Sequence, residues 1–182
     1  MEFVIIGIVI LLIVIAIGIY NRLVGLRQGV NQAVADIDAQ LRQRHDLVPN
    51  LVTTVKGYAA HERDTLEQVI LARNTAARGA INSQDEAQLR IALDRLLALG
   101  EAYPDLKANA NFQELQRELT HVEDKLAAAR RALNASVSRY NTGIESFPAV
   151  LFAGMLGFKP ADFHRLDDSE QGVVDQVPNV QF

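Results

Sequence analysis

Residues 3–20 read FVIIGIVILLIVIAIGIY, eighteen positions without a charge or a strongly polar side chain. A helix of that length rises about 27 Å, close to the ~30 Å hydrocarbon core of a bilayer. In lipid every backbone amide must be satisfied within its own segment, so the stretch is expected to be a membrane-spanning helix. A cleaved signal peptide would show a basic leader, a short apolar core and a small-residue cleavage site. Here only Met1 and Glu2 precede the run, and it ends in Tyr20-Asn21-Arg22-Leu23. No cysteine follows, which excludes a lipid-modified thiol, and an uncleaved anchor is the reading adopted.

Arg22 and Arg27 follow the span directly, and only Glu2 and the terminal amine precede it. The positive-inside rule therefore predicts a cytoplasmic C-terminal domain. A periplasmic domain is the alternative, because large domains cross regardless of flanking charge. The lack of cysteine fits either compartment.

Outward from the anchor about 160 residues remain, enough for one domain with a core. Of the 182 residues none is Trp or Cys, and the net charge is −4 without charge blocks. Nothing forms the clustered basic face of a nucleic-acid binder. Apolar residues recur at steps of three and four from Leu23 through Leu26, Val30, Val34, Ile37 and Leu41. The stripe resumes at Val48, Leu51, Val52, Val55 and Tyr58. This predicts one helix continuous with the span, kinked near Asp46 because Pro49 removes an amide donor. Gly57 to His61 reads as a turn. A second helix starts near Glu62, with the stripe Leu66, Val69, Ile70, Arg73 and Ala77, and fades at Gly79.

Ser83-Gln84-Asp85-Glu86 has the pattern of a capping box, opening a third helix that Gly100 closes. Tyr103-Pro104-Asp105 breaks the chain. A fourth helix starts at Asn109 to Asn111 and carries Phe112, Leu115, Leu119, Val122, Leu126, Ala129, Leu133, Val137, Tyr140 and Ile144. The expected fold is all-α: an N-terminal transmembrane helix continuous with an antiparallel four-helix bundle. The domains expected are residues 1–20 as anchor, 21–146 as bundle, and 147–182 as an apolar segment with an irregular tail. The last helix is expected to return to the membrane. The stretch 147–158, FPAVLFAGMLGF, then has three readings: a cap on the bundle, an in-plane membrane dip, or a contact with a neighbouring copy. Packing on the bundle base or a neighbour is preferred, since no basic residue appears before Lys159.

Several residues resemble a known motif set. Tyr20-Asn21-x-Leu23-Val24-x-Leu26-Arg27, Gln40-Leu41-x-x-Arg44-x-Asp46-Leu47-Val48-Pro49-Asn50-Leu51-Val52 and Val55-Lys56-Gly57-Tyr58-x-x-His61-Glu62 are similar to the LemA family. Ala72-Arg73, Tyr140-Asn141 and Phe147-Pro148 with Gly157-Phe158 extend the likeness. The resemblance implies a single-span bacterial membrane protein with a helical-bundle domain. It includes proteins of magnetosome membranes, associated with shaping that compartment. It brings no established enzymatic activity and no catalytic residues.

Candidate chemistry is sparse. His61-Glu62 opens like the zinc-protease pattern His-Glu-x-x-His, but Thr65 stands where the second ligand belongs. His45, His121 and His164 are scattered, and no metal or other cofactor is expected. Arg42, Arg44 and Asp46 beside Pro49 read most simply as a solvated helix face. The sharper reading is that backbone carbonyls freed at the kink are satisfied by Arg44 or Lys56. Gly25-x-x-x-Gly29 has helix-association spacing but lies among polar residues. No catalytic, cofactor-binding or metal residues are assigned, and an enzyme is not expected. The function expected is a membrane-anchored scaffold or assembly protein, with the lipid bilayer and copies of itself as partners. The alternative is an adaptor presenting clients to another membrane protein such as a protease.

Overall fold

The computed structural model describes residues 1–78 and 82–163, and among them the chain is all-helical, without strands. Five α-helices follow in order: α1 Glu2–Lys56, α2 Arg63–Ala76, α3 Ser83–Ala102, α4 Pro104–Lys107 and α5 Ala110–Glu145. A 3₁₀ turn at Ala149–Leu151 follows α5. The expected fade at Gly79, the residue His164 and the Asp-, Gly- and Pro-rich tail lie outside the described residues.

Helix α1 is one element of 55 residues, so the apolar run and the amphipathic stripe after it are joined without a break. The helix also continues through Pro49. Its apolar portion is long enough to cross a membrane, with a mean hydropathy of 3.3 and none of it buried. The turn at residues 57–61 and the start of α2 fall where the sequence places them. Glu62 occupies the N-cap of α2 but makes no side-chain cap bond there. Its carboxylate instead accepts the Tyr103 hydroxyl at 2.9 Å. That bond holds the Tyr103 phenol above its ordinary value, since ionisation would break it and face two anions together.

Two local expectations are corrected. The capping box does not form. Asn82 is the N-cap of α3, and its Oδ1 accepts from the Gln84 amide at 3.0 Å. The Glu86 carboxylate points away to Arg44 and His45, because a charge-assisted bond to a guanidinium outweighs one to a neutral amide. Nor does Gly100 close α3, which runs on to Ala102. Gly100 is there for close packing: a Cβ on it would sit 2.9 Å from Cε1 of the buried Phe112 ring. The chain break comes at Tyr103, and Pro104 takes the first position of α4, where its missing amide costs nothing. Asn109 begins α5 as expected, its Oδ1 accepting the Phe112 amide at 3.0 Å.

The described residues divide into two compact units, 1–37 with 128–163 and 38–78 with 82–127. The second unit has a core of Val48, Leu51, Val52 and Val55 from α1 with Leu66 and Val69 from α2. Leu89, Leu93 and Leu96 from α3 join it, with Leu106 from α4 and Phe112 and Leu119 from α5. Ile70, expected in the stripe of α2, is instead 42% exposed. In the first unit Leu23 of α1 packs with Tyr140 and Ile144 of α5 and with Ala149, Ala153 and Phe158 beyond it. Gly143 permits this approach, since a Cβ there would lie 2.5 Å from Leu26 Cδ1.

Candidate functional site

Two places carry the residues singled out from the sequence. The first lies in the second unit, in the C-terminal part of α1. Arg44 and His45 are buried, at 1% and 7% exposure, and so is Glu86 at 4%. Arg44 is therefore not on a solvated face, which corrects the simpler sequence reading. Arg42 does fit that reading, being exposed and paired with Asp38 one turn earlier. Arg44 reaches Glu86 with Nη2 and donates from Nη1 to Glu123 Oε1 at 2.9 Å. His45 Nε2 donates to the other Glu86 oxygen at 3.0 Å.

Glu86 thus bridges two neighbouring residues of α1. Burial, the largest single influence, pushes its carboxyl upward. The His45 hydrogen bond, the Arg44 charge and the Arg44 hydrogen bond together outweigh it and hold the group below the ordinary 4.5.

Beside this clasp, Arg73 Nε donates to the His45 backbone carbonyl at 3.2 Å. That carbonyl would otherwise bond the amide of residue 49, which proline lacks. The sharper sequence reading gives the carbonyls freed at the kink to Arg44 or Lys56; the residue that meets the His45 carbonyl is instead Arg73 of α2.

Above the clasp a small cleft is lined by Asp38, Arg42, Asp46 and Arg73. Its charges are mixed, with Asp38 and Arg42 paired to each other, and no three His, Cys, Asp or Glu side chains group as metal ligands among the described residues. His61 and Glu62 take no part in it. Chemically the arrangement is a fastening between helices.

The second place lies in the first unit. Tyr140 donates its hydroxyl to the Lys159 carbonyl at 2.9 Å. Asn141 reads the backbone of Ala161 with both ends of its amide, donating to the carbonyl and accepting from the N–H, each at 2.9 Å. The turn before these contacts uses Gly157 at φ +78, a left-handed conformation suited to glycine. It delivers Phe158 edge-on to Tyr20, with ring centres 5.7 Å apart, and beneath the Arg27 guanidinium at 5.2 Å. Ala149 and Ala153 pack inward, while Phe147, Leu151 and Met155 are exposed. The apolar segment is therefore tied to its own unit along one side and open on the other.

These features define a class: a protein all-helical among the described residues, one of whose helices there is apolar enough to cross a membrane, fastened by buried ion pairs and backbone clamps. A model described as the LemA family matches residues 33–182. The chain belongs to the LemA family. It is similar to the magnetosome protein MamQ of Magnetospirillum gryphiswaldense, at 23% identity over an alignment of 173 residues covering 79% of this chain and 64% of that one. Magnetosome protein MamQ 2 of Paramagnetospirillum magneticum is 24% identical with the same coverage. Protein LemA of Metamycoplasma hominis is 25% identical, covering 76% of this chain and 68% of its own. The chain spans 64% of the length of the MamQ relatives.

Proposed function

We propose that this chain is a membrane-anchored scaffold that acts through self-association and organises a membrane surface. The observation that carries the reading is the unbroken helix α1, which runs from the apolar span into the residues that build the second unit's core. Kinship with proteins named for the magnetosome supports a setting at a membrane compartment. The proposed architecture is an antiparallel four-helix bundle over residues 21–146, and the proposed setting is the bacterial inner membrane. Arg22 and Arg27 after the span support a cytoplasmic domain. Leu71 and Ile91, 65% and 50% exposed on α2 and α3, offer apolar surface to a second copy.

The test is the mass of the full chain in mild detergent, with electron microscopy of the same sample. A regular oligomer that Leu71→Ser with Ile91→Ser dissociates is expected. A monomer that co-purifies with a membrane protease would overturn the scaffold in favour of an adaptor.

A further inference from the structure

The stretch 147–158 has no polar side chain, and its open side needs a partner. Phe147 is 80% exposed and Leu151 is 58% exposed. Their position within the unit identifies that partner. Phe147, Pro148, Leu151 and Phe152 share one apolar cleft with the face of α1 from Val9 to Ile19. Ten residues of helix cover about 15 Å, half of a ~30 Å hydrocarbon core. The exposed side chains therefore lie alongside the C-terminal half of the apolar span, at the depth of one leaflet's acyl chains.

Seven of the eleven backbone amides in the stretch find a carbonyl within it or at its border. In hydrocarbon an unpaired amide costs several kcal/mol by rough estimate, so non-helical chain must satisfy itself. Val150 donates to the Ser146 carbonyl, Leu151 to Pro148, and Phe152 and Ala153 both to Ala149. Leu156, Gly157 and Phe158 donate to Phe152, Gly154 and Ala153 in turn. The polar groups gather where the stretch ends: Arg27 over Phe158, and the Tyr140 hydroxyl on the Lys159 carbonyl. Tyr20 lies against the same Phe158 ring, and tyrosine is at home at headgroup level.

We propose that Phe147, Leu151 and Phe152 are a second membrane contact, dipping into the leaflet that surrounds the C-terminal half of the span, with lipid acyl chains in the cleft between them and α1. The proposal rests on residues 3–20 being a span. A water-soluble partner would have to descend past Ile19 to reach these side chains. An apolar surface of this kind left in water would promote aggregation.

The chain has no cysteine, so a single substitution gives a unique labelling site. Full-length Phe147→Cys and Leu151→Cys would each carry an environment-sensitive fluorophore. Both would be reconstituted at high lipid dilution into phosphatidylcholine–phosphatidylglycerol vesicles. Leu11→Cys, 59% exposed and outside the cleft, serves as the span control and Glu118→Cys as the water control, with circular dichroism confirming that each variant keeps its helix content. The two test sites should be quenched by lipids brominated on the acyl chain as strongly as Leu11→Cys, and shielded from aqueous iodide as it is. Iodide quenching at the level of Glu118→Cys would overturn the proposal. Shielding from both quenchers would also overturn it, by showing that protein covers the segment. If bromolipid fails to quench Leu11→Cys itself, the span reading falls and the proposal with it. If Leu11→Cys is quenched and the test sites are not, the proposal falls alone.

Discussion

Arg73 donates from its Nε to the backbone carbonyl of His45 at 3.2 Å, and His45 is the residue four before Pro49. An internal proline leaves that carbonyl without its helical donor and ordinarily disfavours the helix by ~3 kcal/mol. The His45 residue is 7% exposed, which limits replacement of the lost donor by water. The bond from α2 therefore compensates a defect in α1 and fixes where the two helices meet.

Arg73→Met should destabilise the protein by about 1–3 kcal/mol, the cost of an unsatisfied buried polar group. Pro49→Ala restores the amide. In the Arg73→Met background it should recover more stability than it gives on its own. A double-mutant cycle by urea unfolding in detergent measures this coupling, and additive effects would show that Arg73 does not serve the carbonyl.

Arg44→Ala should cost about 3–5 kcal/mol, because it strands Glu86 as a buried charge. Glu86→Gln removes the charge as well as the bond, and should cost less. Unfolding midpoints of the two variants measured side by side decide the order.

The Glu86 carboxyl is held below its ordinary 4.5 in the folded protein. A depressed folded value means that the paired carboxylate stabilises the fold at pH above 4.5. That stability is lost as the pH falls from 4.5 through the folded value. Glu86→Gln should flatten the thermal-midpoint profile over this acid range and leave its slope near neutrality unchanged. A profile identical to that of the parent protein would count against the clasp.

Gly100→Ala sets two effects against each other. Alanine favours an α3 interior by ~1 kcal/mol. Its Cβ would meet the Phe112 ring at 2.9 Å, and that ring is buried at 2% exposure. Overpacking costs about 1–3 kcal/mol, so net destabilisation is expected. Adding Phe112→Leu should make the alanine neutral or favourable, read from the thermal midpoints of the single and double variants.

Leu119→Ala and Leu126→Ala truncate side chains that are 6% and 1% exposed on α5. Each should lower stability by about 2–5 kcal/mol, with Leu126→Ala at the higher end because its site is the more enclosed. Unchanged urea midpoints would show that these positions do not carry the core.

The apolar run, most of the stripes, the start of α2 and the Asn109 cap were legible in the sequence, though Val34, Tyr58 and Ile70 of those stripes are 42%, 43% and 42% exposed. Each depends on residues within about four positions of one another, which is the reach of helical periodicity and capping. The partners were not. Arg44 and His45 lie three and four residues after Leu41 and before Val48, in register with the apolar stripe. Glu86 falls three before Leu89, and Glu123 four after Leu119. That spacing puts Arg44 and His45 in register with the core, yet the charge of Arg44 suggested a solvated face. A buried charge becomes tolerable only when a partner from another helix neutralises it, and sequence spacing within one helix does not say which partner arrives. The same gap explains Glu86, whose local use in a capping box lost to Arg44 and His45 across the core. It explains the Pro49 carbonyl as well: the sequence determined that a donor was needed, and the packing of α2 on α1 decided that Arg73 supplies it. For the stretch 147–158 the sequence determined that it is apolar and too short to span. The tertiary structure decided which side is covered, because Tyr140, Asn141 and Gly157 fold it back so that Ala149, Ala153 and Phe158 face inward and Phe147 and Leu151 face out.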